Sequence, residues 1–389
     1  MPRRDPEIHA PADTRQPARL RGRGDVGGAR RVVVKIGSSS LTDATGHLDA
    51  ARVQELTDTA AAWRARGTEV LLVSSGAIAA ALGVLGLEHR PSEIGAQQAA
   101  AAVGQSILAT AWSQAFVRHG VVTGQVLLTE SDVIRPVTYR HVRTALEEML
   151  RLGVVPIINE NDTTATHEVR FGDNDRLAAL VAQLIGADLL VLLTDVDALY
   201  TAPPSRPGAR RLATVEDPHA LQGVEIGSVG SRVGTGGMVT KLAAAQHAVS
   251  TGTATLLTAA QRFAEAAAGE DVGTFFPAQE GRRRSRLMWL RFAARGAGLL
   301  HVDAGAAEAL RSGRRSLLAV GVTGVEGVFG PGVPVDVISA DGSPIARGLV
   351  AYGSDDLRSM CGRSTAQLRR EMGEGYARPV LHRDDLVLL

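Results

Sequence analysis

The sequence predicts an α/β protein, an open and mainly parallel sheet sandwiched between helices, followed by a small β-rich domain. Three observations lead there. From Arg31 onward, short β-rich apolar runs alternate with long Ala-rich helical stretches, the pattern of parallel strands covered on both faces. After Phe276 this alternation gives way to short runs separated by Gly and Pro. The chain also has 389 residues, more than a single core usually absorbs, so two domains are expected.

Taken in order, residues 1–30 carry Arg3, Arg4, Arg15, Arg19, Arg21, Arg23, Arg30 and Arg31 close behind, set among Pro, Gly and Ala with no apolar core. That composition predicts a disordered tail. Asp5, Glu7, Asp13 and Asp25 argue against a transit peptide, and no signal-peptide hydrophobic region is present. Strands are expected at 32–36, 69–74, 121–127, 154–159, 188–194 and 253–258, where Val, Ile, Leu and Thr cluster. Between them, 49–66 places Val53, Leu56, Ala60 and Trp63 on one helical face. Further helices are expected at 92–118, 138–151, 175–185 and 238–250. Residues 31–280 then form the α/β domain. Residues 281–297, opening on a polar run with clustered Arg, read as a linker. Residues 298–389 form the second domain, with strands at 299–302, 317–320 and 333–338.

Net charge is +1 and charged residues make up 21% of the chain, which describes an ordinary soluble protein rather than a polyanion binder. The single cysteine, Cys361, excludes an internal disulfide and a thiolate metal cluster, and reads as a buried structural thiol. No apolar run approaches the roughly 18 residues of a membrane span. A cytoplasmic location is the expectation.

The choice of cation is unusual. Among 42 Lys plus Arg, lysine occurs only at positions 35 and 241. Asparagine occurs only as Asn159, Asn161 and Asn174. A bias that replaces Lys by Arg should spare sites where guanidinium fails, because the two cations differ in size, hydration and donor geometry. Both lysines fall in segments suited to phosphate. Lys35 ends an apolar strand that runs into Ile36-Gly37-Ser38-Ser39-Ser40, and ligands of parallel sheets sit beyond such strand ends. Lys241 lies in the first turn of a helix preceded by Gly234-Thr235-Gly236-Gly237-Met238, where free N–H groups and the helix dipole make an anion cradle. Neither a Walker A loop nor a dinucleotide fingerprint is present.

All three asparagines sit with carboxylates, in Asn159-Glu160-Asn161-Asp162 and Gly172-Asp173-Asn174-Asp175. One segment follows a strand and the other precedes a helix. Such amides and carboxylates suit a zwitterion's ammonium group, and the EF-hand pattern that would favour calcium is missing. Asx caps of turns are the simpler alternative. Ser74-Ser75-Gly76 and Thr194-Asp195 also lie at strand ends, and Asp195 could orient both lysines or merely cap its loop. No serine-hydrolase elbow or zinc-peptidase motif occurs.

The runs VVVKIGSSSLT, VSSGAIAAAL, VPIINENDT, FGDNDRLAALVA, LLTDVDALYT and GTGGMVTKLAAA, in this order, closely resemble the glutamate 5-kinases of the amino-acid kinase family. HVDAGAAEAL, VTGVEGVF and IARGLVAY resemble a PUA domain. The resemblance implies the amino-acid kinase fold and transfer of a phosphoryl group from ATP, with Mg²⁺, to the γ-carboxylate of L-glutamate, the first step of proline synthesis. It implies that Lys35, Thr194, Asp195, Thr235, Gly236, Gly237, Met238, Val239, Thr240 and Lys241 hold ATP. Ser75, Asp162 and Asn174 would hold glutamate, while Lys35, Lys241 and Asp195 would act in catalysis. Feedback inhibition by proline and a homo-oligomer are further family expectations. Kinases of aspartate or N-acetylglutamate are the nearest rivals, although their lysine strand looks different. An RNA-binding role for the second domain lacks a basic footprint, since residues 299–389 hold 10 Arg, no Lys and 11 Asp plus Glu.

Overall fold

The computed structural model describes residues 18, 20–43, 45–129, 132–133, 136–163, 174–203, 206–218, 221, 237–279, 290, 296–312 and 315–389. Its contacts divide the chain into two compact units, 1–282 and 283–389.

The first unit is built on seven strands: β1 (Arg31–Ile36), β2 (Glu69–Ser74), β3 (Thr123–Leu128), β4 (Val155–Glu160), β5 (Leu189–Thr194), β6 (Ala254–Ala259) and β7 (Thr274–Phe276). They lie in the order β3-β4-β2-β1-β5-β6-β7, all parallel except β7, which runs antiparallel to β6. The strands β1, β4, β5 and β6 are buried along their whole length, which explains why they read as continuous rather than alternating apolar runs. The order reverses beside β1, which pairs with β2 on one side and with β5 on the other. Open sheets bind ligands at such a reversal, beyond the carboxyl ends of the strands.

Helices α1 (Ala50–Ala65), α2 (Ala77–Leu82), α3 (Ile94–Val117), α4 (Pro136–Arg151), α5 (Asn174–Ile185), α6 (Met238–Ser250) and α7 (Phe263–Ala268) accompany the sheet. Helix α1 begins where the Asp49 carboxylate accepts hydrogen bonds from the amides of Ala51 and Arg52, and buries Val53, Leu56, Ala60 and Trp63 as its periodicity predicts. Helix α3 crosses the start of α2 at backbone contact. A Cβ placed on Gly104 would lie 1.7 Å from the Ala77 carbonyl oxygen, so only glycine permits the approach. Among the described residues no helix is long and apolar enough to cross a membrane.

The second unit contains β8 (Leu299–Val302), α8 (Ala304–Arg311), β9 (Val322–Glu326), β10 (Pro334–Ile338), β11 (Pro344–Leu349), α9 (Ser354–Met360), α10 (Thr365–Glu371) and β12 (Leu386–Leu388). Its five strands are ordered β12-β11-β10-β8-β9 around a separate apolar core that includes Leu300, Val335, Val337, Met360 and Leu381.

Three expectations change. The disordered tail does not reach residue 30, because Leu20 and Val26 are buried in the first core and residues Arg23–Gly28 form a 3-10 turn. Arg23 secures that turn, donating to the carbonyls of Ala213 (2.6 Å) and Val272. Residues 317–320 are not a strand: Leu317 makes one bridge to Leu381, and Ala319–Gly321 is 3-10. Strand β7 was not anticipated, since three residues carry too short a pattern to read. The expected linker at 281–297 lies outside the described residues apart from 290, 296 and 297.

Candidate active site

Lys35 and Lys241 meet although 206 residues separate them in sequence. Lys35, next to last in β1, is 3% exposed, and Lys241, in the first turn of α6, is 7% exposed. Between them stands the fully buried carboxylate of Asp175, the second residue of α5. Its Oδ1 lies 2.6 Å from Lys35 Nζ and its Oδ2 lies 3.2 Å from Lys241 Nζ. The Thr240 hydroxyl is within reach of the same Oδ2 at 3.0 Å and of the Gly237 carbonyl at 2.8 Å. Strand β1, helix α5 and helix α6 thus each deliver one charged group to a common point. Buried charges persist only when paired, and a carboxylate shared in this way fixes two ammonium groups in place before any ligand arrives.

Asp195 is not the residue that orients the lysines. It is exposed, and its carboxylate accepts the Thr194 hydroxyl at 2.9 Å. Thr194 is buried at the end of β5, the neighbour of β1, so the pair still stands at the same sheet edge. Asp195 follows its strand into solvent, whereas Asp175 is buried in the first turn of a helix, where a carboxylate also faces the positive end of the helix dipole.

The residue before Asp175 belongs to a second group. Asn174 Nδ2 donates to Ser75 Oγ at 2.7 Å and to Asn159 Oδ1 at 2.9 Å, joining α5 to the ends of β2 and β4. In the sequence Asn159 stands out only as part of its motif, through the scarcity of asparagine. Asn174 Oδ1 is buried and has no donor among the described residues, which leaves an acceptor for a ligand. Ser75, by accepting from Asn174, keeps its own hydroxyl proton available to a carboxylate. The turn after it needs Gly76, whose φ of 102° lies in the left-handed region. Asp162 lies half-buried in the turn after β4. Met238, Val239 and Thr240 open α6 behind Gly237, while Thr235 and Gly236 lie outside the described residues.

Gly37 follows directly after β1, and a Cβ there would stand in ordinary van der Waals contact with Lys35 Nζ at 3.7 Å. Among the described residues no group of three or more His, Cys, Asp or Glu could hold a metal ion. With no such group to form an all-protein cage, the described residues fit a Mg²⁺ carried mainly on phosphate oxygens and water.

A parallel sheet with two buried ammonium groups at its switch point suits an anionic ligand, and comparison with known proteins gives the class, a kinase. Residues 30–258 match the model of the amino acid kinase family, and the chain belongs to it. Residues 298–372 match the PUA domain. The chain is 53% identical to the glutamate 5-kinase of Streptomyces coelicolor over 94% of its own length and 98% of that protein. It is 54% identical to the glutamate 5-kinase of Salinispora arenicola, covering 93% and 98%, and 50% identical to that of Bifidobacterium adolescentis, covering 96% and 99%.

Proposed function

We propose that the chain phosphorylates the γ-carboxylate of L-glutamate with ATP, giving L-glutamyl 5-phosphate, the first step of proline biosynthesis. Relatives of that activity at about half identity over nearly the whole chain support it. One structural observation carries the reading. Consecutive residues at the N-terminus of α5 serve two different groups, Asn174 the amide and hydroxyl cluster and Asp175 the two lysines. An amino acid held at the first therefore abuts an anion held at the second.

The chemistry asks little else. A carboxylate is already a nucleophile, so no general base is required, and catalysis reduces to aligning two anions and offsetting the charge that develops between them. Lys35 and Lys241 supply fixed positive charge, with Asp175 preventing either from swinging away. The Gly237 turn and the first amides of α6 would cradle phosphate oxygens, and Thr194 and Asp195 would face the rest of the nucleotide. Asn174 Oδ1 would take the α-ammonium of glutamate and Ser75 Oγ–H a carboxylate, with Asp162 beside them. Bound Mg²⁺ would screen the charge of the phosphates.

Proline feedback inhibition, assembly as a homo-oligomer and a cytoplasmic location are inferred from the family resemblance. The decisive experiment is ADP release with L-glutamate, L-aspartate and N-acetyl-L-glutamate as acceptors, with and without proline. Strong preference for L-glutamate is expected, and equal or better turnover with either rival would overturn the assignment.

A further inference from the structure

We propose that Trp112 is a positioning residue for the acceptor amino acid, acting through Ser74 on the turn that presents Ser75. The inference rests on the reading of Ser75 and Asn174 as acceptor ligands. Trp112 is fully buried in α3, and its indole N–H donates to Ser74 Oγ at 3.0 Å. Ser74 is the last residue of β2 and is itself fully buried. Its hydroxyl, with one lone pair occupied by the indole, donates onward to the Ser75 carbonyl at 3.1 Å. The Ser75 amide in turn donates to the Ile36 carbonyl at 3.0 Å, and Ser75 Oγ accepts from Asn174. Every backbone polar group of Ser75 named here, and its side chain, is thereby oriented, and one end of the chain of bonds is the indole.

Two more contacts show that α3 acts as a template for this half of the site. Gly104 meets the Ala77 carbonyl just past the Ser75-Gly76 turn. Gln105 Nε2 donates to the carbonyl of Glu160 at 3.2 Å, beside Asn159. Residues 104, 105 and 112 recur at intervals of seven and eight, which places them on one helical face. The simpler account is that a buried indole N–H merely needs a partner. Trp63 weakens that account, because it is equally buried in the same core and its indole N–H has no hydrogen-bond partner among the described residues.

The test is steady-state kinetics with L-glutamate and ATP on full-length Trp112→Phe, Ser74→Ala and the double variant, with melting temperatures as a control for folding. Trp112→Phe keeps an aromatic ring and removes the donor. It is expected to raise KM for glutamate about tenfold, the effect of about one well-placed hydrogen bond, with KM for ATP within about twofold of the parent. Ser74→Ala should do the same, and the double variant should be no worse than the worse single, because both cut one relay. A parallel rise in both KM values, or additive effects in the double variant, would overturn the proposal. Ser75→Ala separates the two levels of inference. If it raises KM for glutamate while Trp112→Phe does not, only the role of Trp112 falls. If it leaves that KM unchanged, the acceptor reading falls and this inference with it.

Discussion

At the residue scale, the site turns on a carboxylate shared by two ammonium groups. Its removal should be felt twice. Asp175→Asn keeps the shape but leaves two buried cations facing an amide, a change expected to cost about 3–5 kcal/mol of stability and to lower turnover about 100-fold or more. Lys241→Arg probes the other side of the contact. A guanidinium is larger and planar, and at a position 7% exposed it cannot occupy the place of Nζ without displacing Thr240 or Asp175. Turnover measured beside thermal melting should fall far more than stability does, and near-normal turnover in Lys241→Arg would refute the requirement for ammonium geometry. The lysines were legible in the sequence through their rarity, and Asn174 through the rarity of asparagine. Asp175 stood next to Asn174 in the same motif, yet its role was hidden. Nothing in spacing tells which cation a carboxylate will meet when the partners lie 140 and 66 residues away.

At the element scale, helices α5 and α6 are held together at two levels. Their N-termini are joined through Asp175, Thr240 and Lys241, and further along the Nε2 of His247 lies 2.7 Å from Gln183 Oε1. Burial pushes the His247 imidazole down from 6.5 to about 3, and the Arg176 guanidinium adds to the effect. Between those two values the unfolded chain binds a proton that the folded chain refuses. Stability is therefore lost as pH falls below 6.5, by up to about 1.4 kcal/mol per pH unit from this residue. His247→Gln should flatten the acid side of the stability profile, measured as urea midpoints at pH 7 and pH 5. Identical slopes in parent and variant would rule out His247 as a contributor. The expected strands and helices of this unit lie within two residues of the observed ones, because apolar runs and Ala-rich segments differ sharply in period, whereas β7 and the short helices α2 and α7 hold too few residues to show one. The Trp112 relay was not, since a tryptophan on an apolar helix face predicts only that it is buried. The ordered Leu20 to Gly28 segment was masked by its surroundings, where two apolar anchors were outnumbered by Arg, Gly and Pro.

At the scale of the whole molecule, two apolar cores share no residue. Calorimetric unfolding is accordingly expected to show more than one transition, and ATP with L-glutamate should raise only the one that belongs to residues 1–282, because a ligand stabilises the unit that binds it. A single transition that shifts as a whole would contradict this. Lysine economy acquires another meaning at this scale. A protease that cuts only after lysine has two cleavable bonds in the entire chain, and both adjoin side chains sealed against Asp175. Digestion of the native protein by such an enzyme would record how often the pocket around the two lysines breathes open and nothing else, with every other loop silent.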